Sequence, residues 1–252
     1  MIDLTGRHIF ICGGSRGIGA ESARLAAKAG ADLSINYHER ASAAEQVAAD
    51  VTRMGRRAWT VKADAAADGS LDAAIDESVR RLGPLRGLVV SAGIFESSKL
   101  ETMSADFWDR TMAINLRATF LAVRAAARTM RHAKAGGSIV IYTSTAGQRG
   151  SADFSAYATS KGAQIIFMRS MALELAKDRI RVNCIAPSWT ETEMSGATMD
   201  AIGREQVLNG CPLGRVGLPQ DVAGATCFLL SDLANFITGT TMTVDGGIDM
   251  RG

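Results

Sequence analysis

Short apolar runs and longer helix-like stretches alternate along the whole of this chain. Such alternation is the pattern of a parallel β-sheet covered by helices on both faces. The apolar runs predict strands over residues 8–12, 33–36, 58–61, 87–90, 138–143, 181–185 and 241–244. The stretches between them predict a helix that ends near residue 29, and further helices over 41–54, 70–82, 104–133 (with a break near Asn115), 155–177 and 219–231.

The predicted strands favour one α/β domain over residues 1–252, a doubly wound fold with a mainly parallel, seven-stranded sheet. A length of 252 residues is within the range that such folds fill as a single unit. No internal repeat stands out beyond the alternation, and no linker composition divides the chain. Residues 188–210 follow a strand and lack a strong periodic pattern, so we expect them to form a lid over the substrate.

Composition and charge narrow the function classes. Hydrophobic residues make up 47% of the chain, enough for a large core, and the 28 basic residues are scattered at a net charge of +2, which predicts no nucleic-acid partner. The four cysteines and three histidines lack zinc-ligand spacing, so we expect buried free thiols and no metal site. No leader pattern and no apolar run of about 18 residues occurs, which predicts a cytoplasmic protein without a membrane partner.

A glycine-rich turn follows the first predicted strand. Gly13, Gly17 and Gly19 stand between that strand and a helical segment, which is the sequence context of a dinucleotide site. Glycine permits the tight turn and lets backbone amides approach a pyrophosphate, while the helix N-terminus supplies partial positive charge. The alternative is an ordinary strand-to-helix turn that merely uses glycines. We interpret the turn as a dinucleotide site.

The end of the second strand bears on which dinucleotide is bound. NAD sites of this type carry an acidic residue there, which accepts a hydrogen bond from the ribose 2′-hydroxyl. Here Tyr37 occupies that position, after Asn36, so no carboxylate repels a 2′-phosphate. Arg16 and Arg40 are placed to pair with that phosphate, unless both are simply solvated surface groups. NADP(H) is therefore the favoured cofactor, and NAD(H) is the alternative.

Tyr157 and Lys161 lie four residues apart, on one face of a predicted helix. Tyrosine can exchange a proton with an alcohol, but its reference pKa of about 10 makes it a poor base at neutral pH. A neighbouring ammonium favours the phenolate, as does an oxidised nicotinamide. Lowering the pKa to about 7 takes roughly 4 kcal/mol, which requires a water-poor pocket. A surface pair on a helix is the alternative interpretation.

Ser144 follows an apolar strand and precedes Tyr157 in the chain. We expect its hydroxyl at the carboxyl edge of the sheet, where doubly wound folds bind ligands. From that edge it can donate a hydrogen bond to a substrate oxygen and orient Tyr157, although a merely polar strand end also fits. No Gly-x-Ser-x-Gly motif surrounds it, which argues against a hydrolytic nucleophile.

Taken together, these residues resemble the short-chain dehydrogenase/reductase family over essentially the whole chain. The resemblance is carried by the glycine turn, Ser91-Ala92-Gly93, Asn115, Ser144, Tyr157, Lys161 and the segments 181–187 and 243–247. It implies a Rossmann-type domain that transfers hydride between a nicotinamide and a carbonyl or alcohol. Several positions depart from the family pattern, among them Cys12, Val90 and Ser188, but none of these removes a catalytic group.

The resemblance also implies a role for each catalytic residue. Tyr157 is the general acid/base, Lys161 lowers its pKa and binds the nicotinamide ribose, and Ser144 polarises the carbonyl. Asn115 holds a water that links Lys161 to solvent, although by itself it is an ordinary polar residue on a long helix. The glycine turn, the strand ends and the resemblance together predict cofactor contacts from Gly13, Ser15, Arg16, Gly17, Ile18, Gly19, Asn36, Tyr37, Asp64, Ala65, Ser91, Ala92, Gly93, Tyr157, Lys161, Pro187 and Thr192.

The substrate is a small carbonyl or alcohol compound whose identity stays open. The chain looks most like the family's 3-oxoacyl-thioester reductases, but Leu173 stands where these carry an arginine that binds the carrier protein. A sugar, polyol or steroid dehydrogenase is the alternative within the family, and a catalytically silent dinucleotide-binding regulator is the alternative outside it. The helices over 104–133 and 157–177 carry an excess of apolar residues, and relatives pair such helices, so we expect a homotetramer.

Overall fold

All seven predicted strands form, and together they make one sheet. The computed structural model, which describes residues 1–249, contains β1 (His8–Cys12), β2 (Asp32–Tyr37), β3 (Ala58–Lys62), β4 (Leu85–Val90), β5 (Gly137–Tyr142), β6 (Ile180–Pro187) and β7 (Thr241–Val244). The strand order is β3-β2-β1-β4-β5-β6-β7, and every neighbouring pair is parallel. The predicted doubly wound α/β fold is therefore confirmed, with a sheet that is parallel throughout.

The helices connect the strands and cover the sheet. They are α1 (Gly17–Lys28), α2 (Ala41–Arg53), α3 (Ser70–Leu82), α4 (Ala105–Met112), α5 (Ala118–Ala133), α6 (Thr145–Arg149), α7 (Ser155–Leu175), α8 (Glu193–Ile202), α9 (Arg204–Asn209) and α10 (Pro219–Leu230). A π-helical turn, Ala113–Arg117, separates α4 from α5 and contains Asn115. The predicted break in the long helical stretch is thus confirmed, and such π-turns are frequent at functional sites.

Both faces of the sheet are buried, which explains why the strands are continuous apolar runs. Successive residues of β1 point to opposite faces: Phe10 packs with α3, α5 and α7, whereas Ile9 and Ile11 pack with α1, α2 and α10. Each of these three side chains is fully buried. All four cysteines are buried and free, as predicted.

The connectivity creates a crevice at one edge of the sheet. From β1 the chain moves outward to β2 and β3, and it then returns to β4 on the other side of β1. Helices therefore leave the carboxyl ends of β1 and β4 in opposite directions, and doubly wound folds bind ligands at this switch point. The residues predicted to bind the cofactor and the substrate at strand ends, such as Gly13, Tyr37, Ser91 and Ser144, all lie at this edge of the sheet.

The segment 188–210 is more regular than its sequence suggests, because it contains α8 and α9. The Thr192 hydroxyl accepts a hydrogen bond from the Ser195 backbone N–H and so caps α8, while Gly203, at a φ of +98°, separates the two helices. Met199 is fully buried and anchors α8 to the fold. This single anchor leaves most of α8 polar or half-exposed, which is why no strong period is visible in the sequence.

Two further features concern membranes and metals. No helix within residues 1–249 combines the length and the apolar character needed to cross a bilayer. Over the same residues, no three histidine, cysteine or acidic side chains are grouped so that they could hold a metal ion.

Candidate active site

A cavity of about 880 Å³ lies along the carboxyl ends of β1, β2, β4, β5 and β6. The predicted site residues converge on it from the whole length of the chain. Those that line the cavity are Gly13, Ser15, Arg16, Gly17, Ile18, Asn36, Tyr37, Asp64, Ala65, Ser91, Ala92, Gly93, Ser144, Tyr157, Lys161, Pro187 and Thr192. Gly19 and Asn115 do not line it, because both are buried just behind its wall.

The glycine turn fits a pyrophosphate. Gly13 adopts a φ of +79°, and a Cβ there would lie 2.6 Å from the backbone nitrogen of Ala92. A Cβ at Gly19 would lie 2.3 Å from the carbonyl oxygen of Gly13, so this glycine permits close packing of α1. Arg16, the N-cap residue of α1, places no side-chain acceptor on the first N–H groups of the helix. These donors and the helix dipole face the cavity and are suited to an anion.

The end of β2 acts mainly as a brace for this turn. Asn36 accepts a hydrogen bond from the Gly13 N–H at 3.3 Å and donates one to the Ala63 carbonyl at 3.0 Å. Both the oxygen and the nitrogen of its side-chain amide therefore already form hydrogen bonds within the protein. A cofactor that contacts Asn36 has to share these two atoms with Gly13 and Ala63. Tyr37 lines the cavity beside it, and Asp64 is exposed at the rim, where its carboxylate accepts from the Ala66 N–H.

Two arginines meet one carboxylate at the outer end of the cavity. Arg16 and Arg40 each donate to the same oxygen, Oε2 of Glu193, at 3.2 Å and 2.8 Å. We call these three residues the arginine–glutamate cluster. The hydrogen bond from Arg16 and the charge of Arg40 hold the pKa of Glu193 below its usual range. Sequence reasoning identified both arginines but missed Glu193, whose partners are 177 and 153 residues away in the chain.

Ser144 and Tyr157 meet at the inner end of the cavity. Ser144 follows β5 and is the N-cap residue of α6, where its hydroxyl accepts from the Ala146 N–H at 3.1 Å. Tyr157 lies in the first turn of α7. Burial raises the pKa of the Tyr157 phenol, and a hydrogen bond with Ser144 opposes that rise.

Lys161 lies one turn further along α7 and is buried. Its ammonium donates to the Tyr142 carbonyl oxygen at 2.8 Å and lies 5.8 Å from the centre of the Tyr157 ring. Burial lowers the pKa of Lys161 to about 8. A hydrogen bond with Ser144 lowers the pKa of Tyr157 in this structure, and the effect of Lys161 on that pKa stays a prediction.

Asn115 occupies the π-helical turn, and its side-chain amide and backbone carbonyl are all hydrogen-bonded. Its amide donates to the Ile94 carbonyl at 3.1 Å and to Ser160 Oγ at 3.0 Å, and its Oδ1 accepts from the Ile94 N–H at 2.8 Å. Its backbone carbonyl accepts from Gln164 Nε2 at 2.8 Å and from the Thr119 hydroxyl at 2.7 Å. Asn115 therefore fixes the segment after β4 against α7.

Gln164 is a second buried polar residue in this region and was missed by the sequence analysis. It is fully buried, and its Oε1 has no hydrogen-bond partner among the described protein atoms. Its position in the sequence could have identified it, because Gln164 follows Lys161 by three residues and therefore lies on the same face of the helix. Most other residues of that face are apolar or are the predicted catalytic residues.

Aromatic side chains form one wall beside Tyr157. Phe95 stacks on Phe154 with ring centres 4.5 Å apart, and it meets Tyr157 and Trp189 edge-on at 4.8 Å and 6.1 Å. Such edge-to-face and stacked pairs hold the rings in defined orientations. Phe95, Trp189 and Met194 line the cavity, whereas Met199 belongs to the core.

Comparison with known proteins agrees with this geometry. The family model described as enoyl-(acyl carrier protein) reductase matches residues 13–249. The chain is 35% identical over 246 residues to L-rhamnose 1-dehydrogenase (NAD(P)(+)) of Sphingomonas sp. strain SKA58, with 97% of each chain covered. It is 34% identical over 247 residues to a 3-oxoacyl-(acyl-carrier-protein) reductase of Chlamydia pneumoniae, with 98% of each covered.

A solved structure gives the same result for the fold. A short-chain type dehydrogenase/reductase from Mycobacterium marinum matches with a TM-score of 0.94 and 30% identity, over 99% of this chain and 98% of that one. Sequence and structure comparisons thus cover the cavity and every strand of the sheet. The chain belongs to the short-chain dehydrogenase/reductase family, a family of oxidoreductases that act on CH–OH groups.

Proposed function

We propose that this protein is an NADP(H)-dependent oxidoreductase that interconverts a carbonyl and a secondary alcohol, with Tyr157 as the general acid/base. The observation that carries the proposal is the meeting of Ser144, Tyr157 and Lys161 at the inner end of a cavity whose other end carries the glycine turn. When bound, the nicotinamide supplies or accepts the hydride. The groups of this chain then have to position the substrate oxygen and exchange its proton.

Ser144 and Tyr157 have different roles at the substrate oxygen. Because the Tyr157 phenol has a raised pKa, it is protonated at neutral pH and suited to donate a proton in the reductive direction. The Ser144 hydroxyl donates a hydrogen bond to the same oxygen and fixes the phenol beside it. In the oxidative direction the phenolate is needed, and there the positive charge of an oxidised nicotinamide and of Lys161 favours it.

Lys161 connects Tyr157 to the wall behind it. Its ammonium is held by the Tyr142 carbonyl and lies close to Gly93, where a Cβ would be 3.6 Å from Nζ. We assign to it the nicotinamide ribose hydroxyls as further acceptors. The proposed water that links Lys161 to solvent through Asn115 has to share the Asn115 carbonyl with Gln164 and Thr119, which already donate to it.

For the cofactor we propose NADP(H), with NAD(H) as the alternative. Two guanidinium groups face the outer end of the cavity, and the last residue of β2 is Tyr37 and not a carboxylate, although Glu39 lines the cavity two residues further on. Guanidinium groups form strong, charge-assisted hydrogen bonds with phosphate oxygens. The other predicted cofactor contacts, from Asp64 and Thr192 among them, stay predictions of the same binding mode.

The substrate reaches Tyr157 along the wall of Phe95, Phe154 and Trp189. Aromatic faces favour apolar chains and the C–H faces of rings, so both 3-oxoacyl compounds and cyclic sugars or steroids fit this wall. Leu173 is 82% exposed at the position expected for a carrier-binding arginine, which favours a small free substrate over one presented by a carrier protein.

We also propose a cytoplasmic homotetramer. Phe120, Ile166 and Leu173 on α5 and α7 expose 43%, 60% and 82% of their surface, and a second copy of the same face would cover them. Exposed apolar groups that lie together mark interaction surfaces.

The first prediction tests the role of Tyr157. Replacement Tyr157→Phe removes one hydroxyl, and we expect the turnover of NADPH with a ketone to fall by about 10²- to 10⁴-fold while NADPH binding is kept, because general acid/base groups contribute that much. Steady-state kinetics and cofactor fluorescence measure the two effects.

The matched control is Tyr142→Phe, which removes a buried hydroxyl bonded to Ser22 and Thr226 on the far side of β5. That variant should lose stability and keep its turnover. Full activity in Tyr157→Phe would remove Tyr157 from its role. A panel of ketones, sugars and 3-oxoacyl thioesters with both cofactors then identifies the substrate class, and a protein that binds NADPH and turns over none of them would be the silent regulator.

A further inference from the structure

The arginine–glutamate cluster places a carboxylate between the two cations assigned to the cofactor phosphate. Arg16 comes from the glycine turn, Arg40 follows β2, and Glu193 is the first residue of α8. All three side chains line the same cavity, and one oxygen of Glu193 receives both hydrogen bonds, at 3.2 Å and 2.8 Å. The carboxylate of Glu193 therefore occupies the place at which we expect the phosphate of the cofactor.

A carboxylate and a phosphate compete for such a pair of guanidinium groups, because both are oxyanions that accept charge-assisted hydrogen bonds. A carboxylate and a phosphate at this place would repel each other, and neither could accept hydrogen bonds from both arginines without competition from the other. The ion pairs leave 46–61% of their side chains exposed, so each is weak enough to be exchanged.

We propose that Glu193 determines cofactor specificity by occupying the 2′-phosphate position, so that NADP(H) has to displace it from Arg16 and Arg40 while NAD(H) leaves the cluster intact. This inference rests on the proposed dinucleotide site. Its consequence is that the two cofactors leave α8 in different states: held to the glycine turn with NAD(H), and released from it with NADP(H).

The release affects the substrate end because α8 is part of the same wall. Thr192 lies directly before Glu193, and its methyl group would be 3.5 Å from a Cβ at Gly17. Met194, directly after Glu193, lines the cavity with Trp189. A displacement of Glu193 therefore moves the residues that cover the substrate.

The test uses Glu193→Gln, which keeps the shape of the side chain and removes its charge. The matched control is Glu191→Gln, because Glu191 lies two residues earlier, forms an ion pair with Arg204 and does not line the cavity. Calorimetric titration with adenosine 2′,5′-bisphosphate and adenosine 5′-monophosphate isolates the 2′-phosphate, since these ligands differ in that group alone and contain no nicotinamide.

We expect Glu193→Gln to bind the bisphosphate about threefold to tenfold more tightly than the wild type, since two exposed ion pairs of this kind are removed as competitors. The monophosphate should bind unchanged, and Glu191→Gln should match the wild type with both ligands. In the full reaction, the ratio of kcat/KM for NADPH to that for NADH should rise in Glu193→Gln only.

Two results would overturn the inference, and they are distinguishable. If the wild type prefers the bisphosphate and Glu193→Gln shows no gain, Glu193 is not a competitor, and the NADP(H) preference stands. If the wild type binds both ligands equally and Glu193→Gln shows no gain, the inference and the NADP(H) preference both fail. Neither result bears on the role of Tyr157.

Discussion

The two ends of the cavity handle charge in opposite ways. At the inner end, Lys161 is buried and held by a backbone carbonyl, and burial alone lowers its pKa to about 8. At the outer end, Arg16, Arg40 and Glu193 are about half exposed and pair with one another. Water screens charges at the outer end and is largely excluded at the inner one. One charge therefore has a larger electrostatic effect beside Tyr157 than in the arginine–glutamate cluster.

The two ends also differ in what holds them. Ser144 follows β5 as the N-cap residue of α6, Tyr157 and Lys161 stand on α7, and the buried Asn115 donates a hydrogen bond to Ser160 of α7. The outer end combines a turn, a strand end and the start of α8. Rigid elements suit the positioning of reacting atoms, whereas exposed segments suit a contact that has to exchange.

The largest effect in this comparison is expected for a change that crowds the inner end. A Cβ in Gly93→Ala would lie 3.0 Å from Asn115 Oδ1 and 3.6 Å from Lys161 Nζ. Since Asn115 is fixed by its bonds to Ile94 and Ser160, strain of about 1–3 kcal/mol should reach Lys161 and reduce kcat by about 5- to 150-fold. Steady-state kinetics measure the loss, and adenosine 5′-monophosphate should still bind.

The control for Gly93→Ala is Gly224→Ala in α10, where a Cβ meets nothing within 4 Å. Alanine favours a helix over glycine, so this variant should be fully active and slightly more stable. Unchanged kcat in Gly93→Ala would show that the inner end tolerates displacement of Asn115 and Lys161 and is not the more rigid of the two ends.

An intermediate effect is expected from the buried charge of Lys161. Its pKa is lowered from 10.5 to about 8 in the folded state. The folded protein therefore releases this proton at a lower pH than the unfolded chain does. The cost of burying the ammonium is fully present below pH 8 and is relieved as the pH rises towards 10.5. Relative to Lys161→Met, the wild type should gain about 2 kcal/mol of unfolding free energy between pH 8 and pH 10.

Denaturant unfolding at both pH values measures this difference. The comparison with Lys161→Met is needed because burial raises the pKa of Cys12 and Cys184 to about 12, and these thiols also titrate in the alkaline range. The contribution of Cys12 is common to both proteins and cancels, whereas Cys184 interacts electrostatically with Lys161 and so contributes to the difference that is measured. A difference between the two proteins that stays constant with pH would mean that Lys161 is as well hydrated as the arginines of the outer end.

The smallest effect is expected at the exposed end. Arg40→Ala removes one of the two proposed partners of the 2′-phosphate, and NADPH binding should weaken by about twofold to fivefold, because exposed ion pairs are individually weak. The loss should nearly vanish at about 1 M salt, where the Debye length is about 3 Å. Fluorescence titration of NADPH at low and high salt measures both values.

The control for Arg40→Ala is Arg215→Ala, since Arg215 pairs with Asp221 and does not line the cavity. It should leave NADPH binding unchanged at either salt concentration. A loss in Arg40→Ala that is large and independent of salt would show that the outer end is desolvated like the inner one.

The sequence by itself determined the sheet and most of the site. The bounds of β1, α3 and β7 are those predicted, because buried parallel strands are apolar runs and amphipathic helices carry a period. The glycine turn and the Ser144, Tyr157 and Lys161 positions were also identified, because each is a local pattern attached to the end of a recognised element.

Tertiary structure decided what depends on distant neighbours. The contacts of Glu193 with Arg16 and Arg40 and the Asn36 brace on the glycine turn join segments that are remote in the chain. The same holds for the raised pKa of Tyr157. A local pattern reports the period and the chemistry of a segment, whereas burial and the partner of a charge arise only when the fold brings segments together, and these set the strength of each interaction.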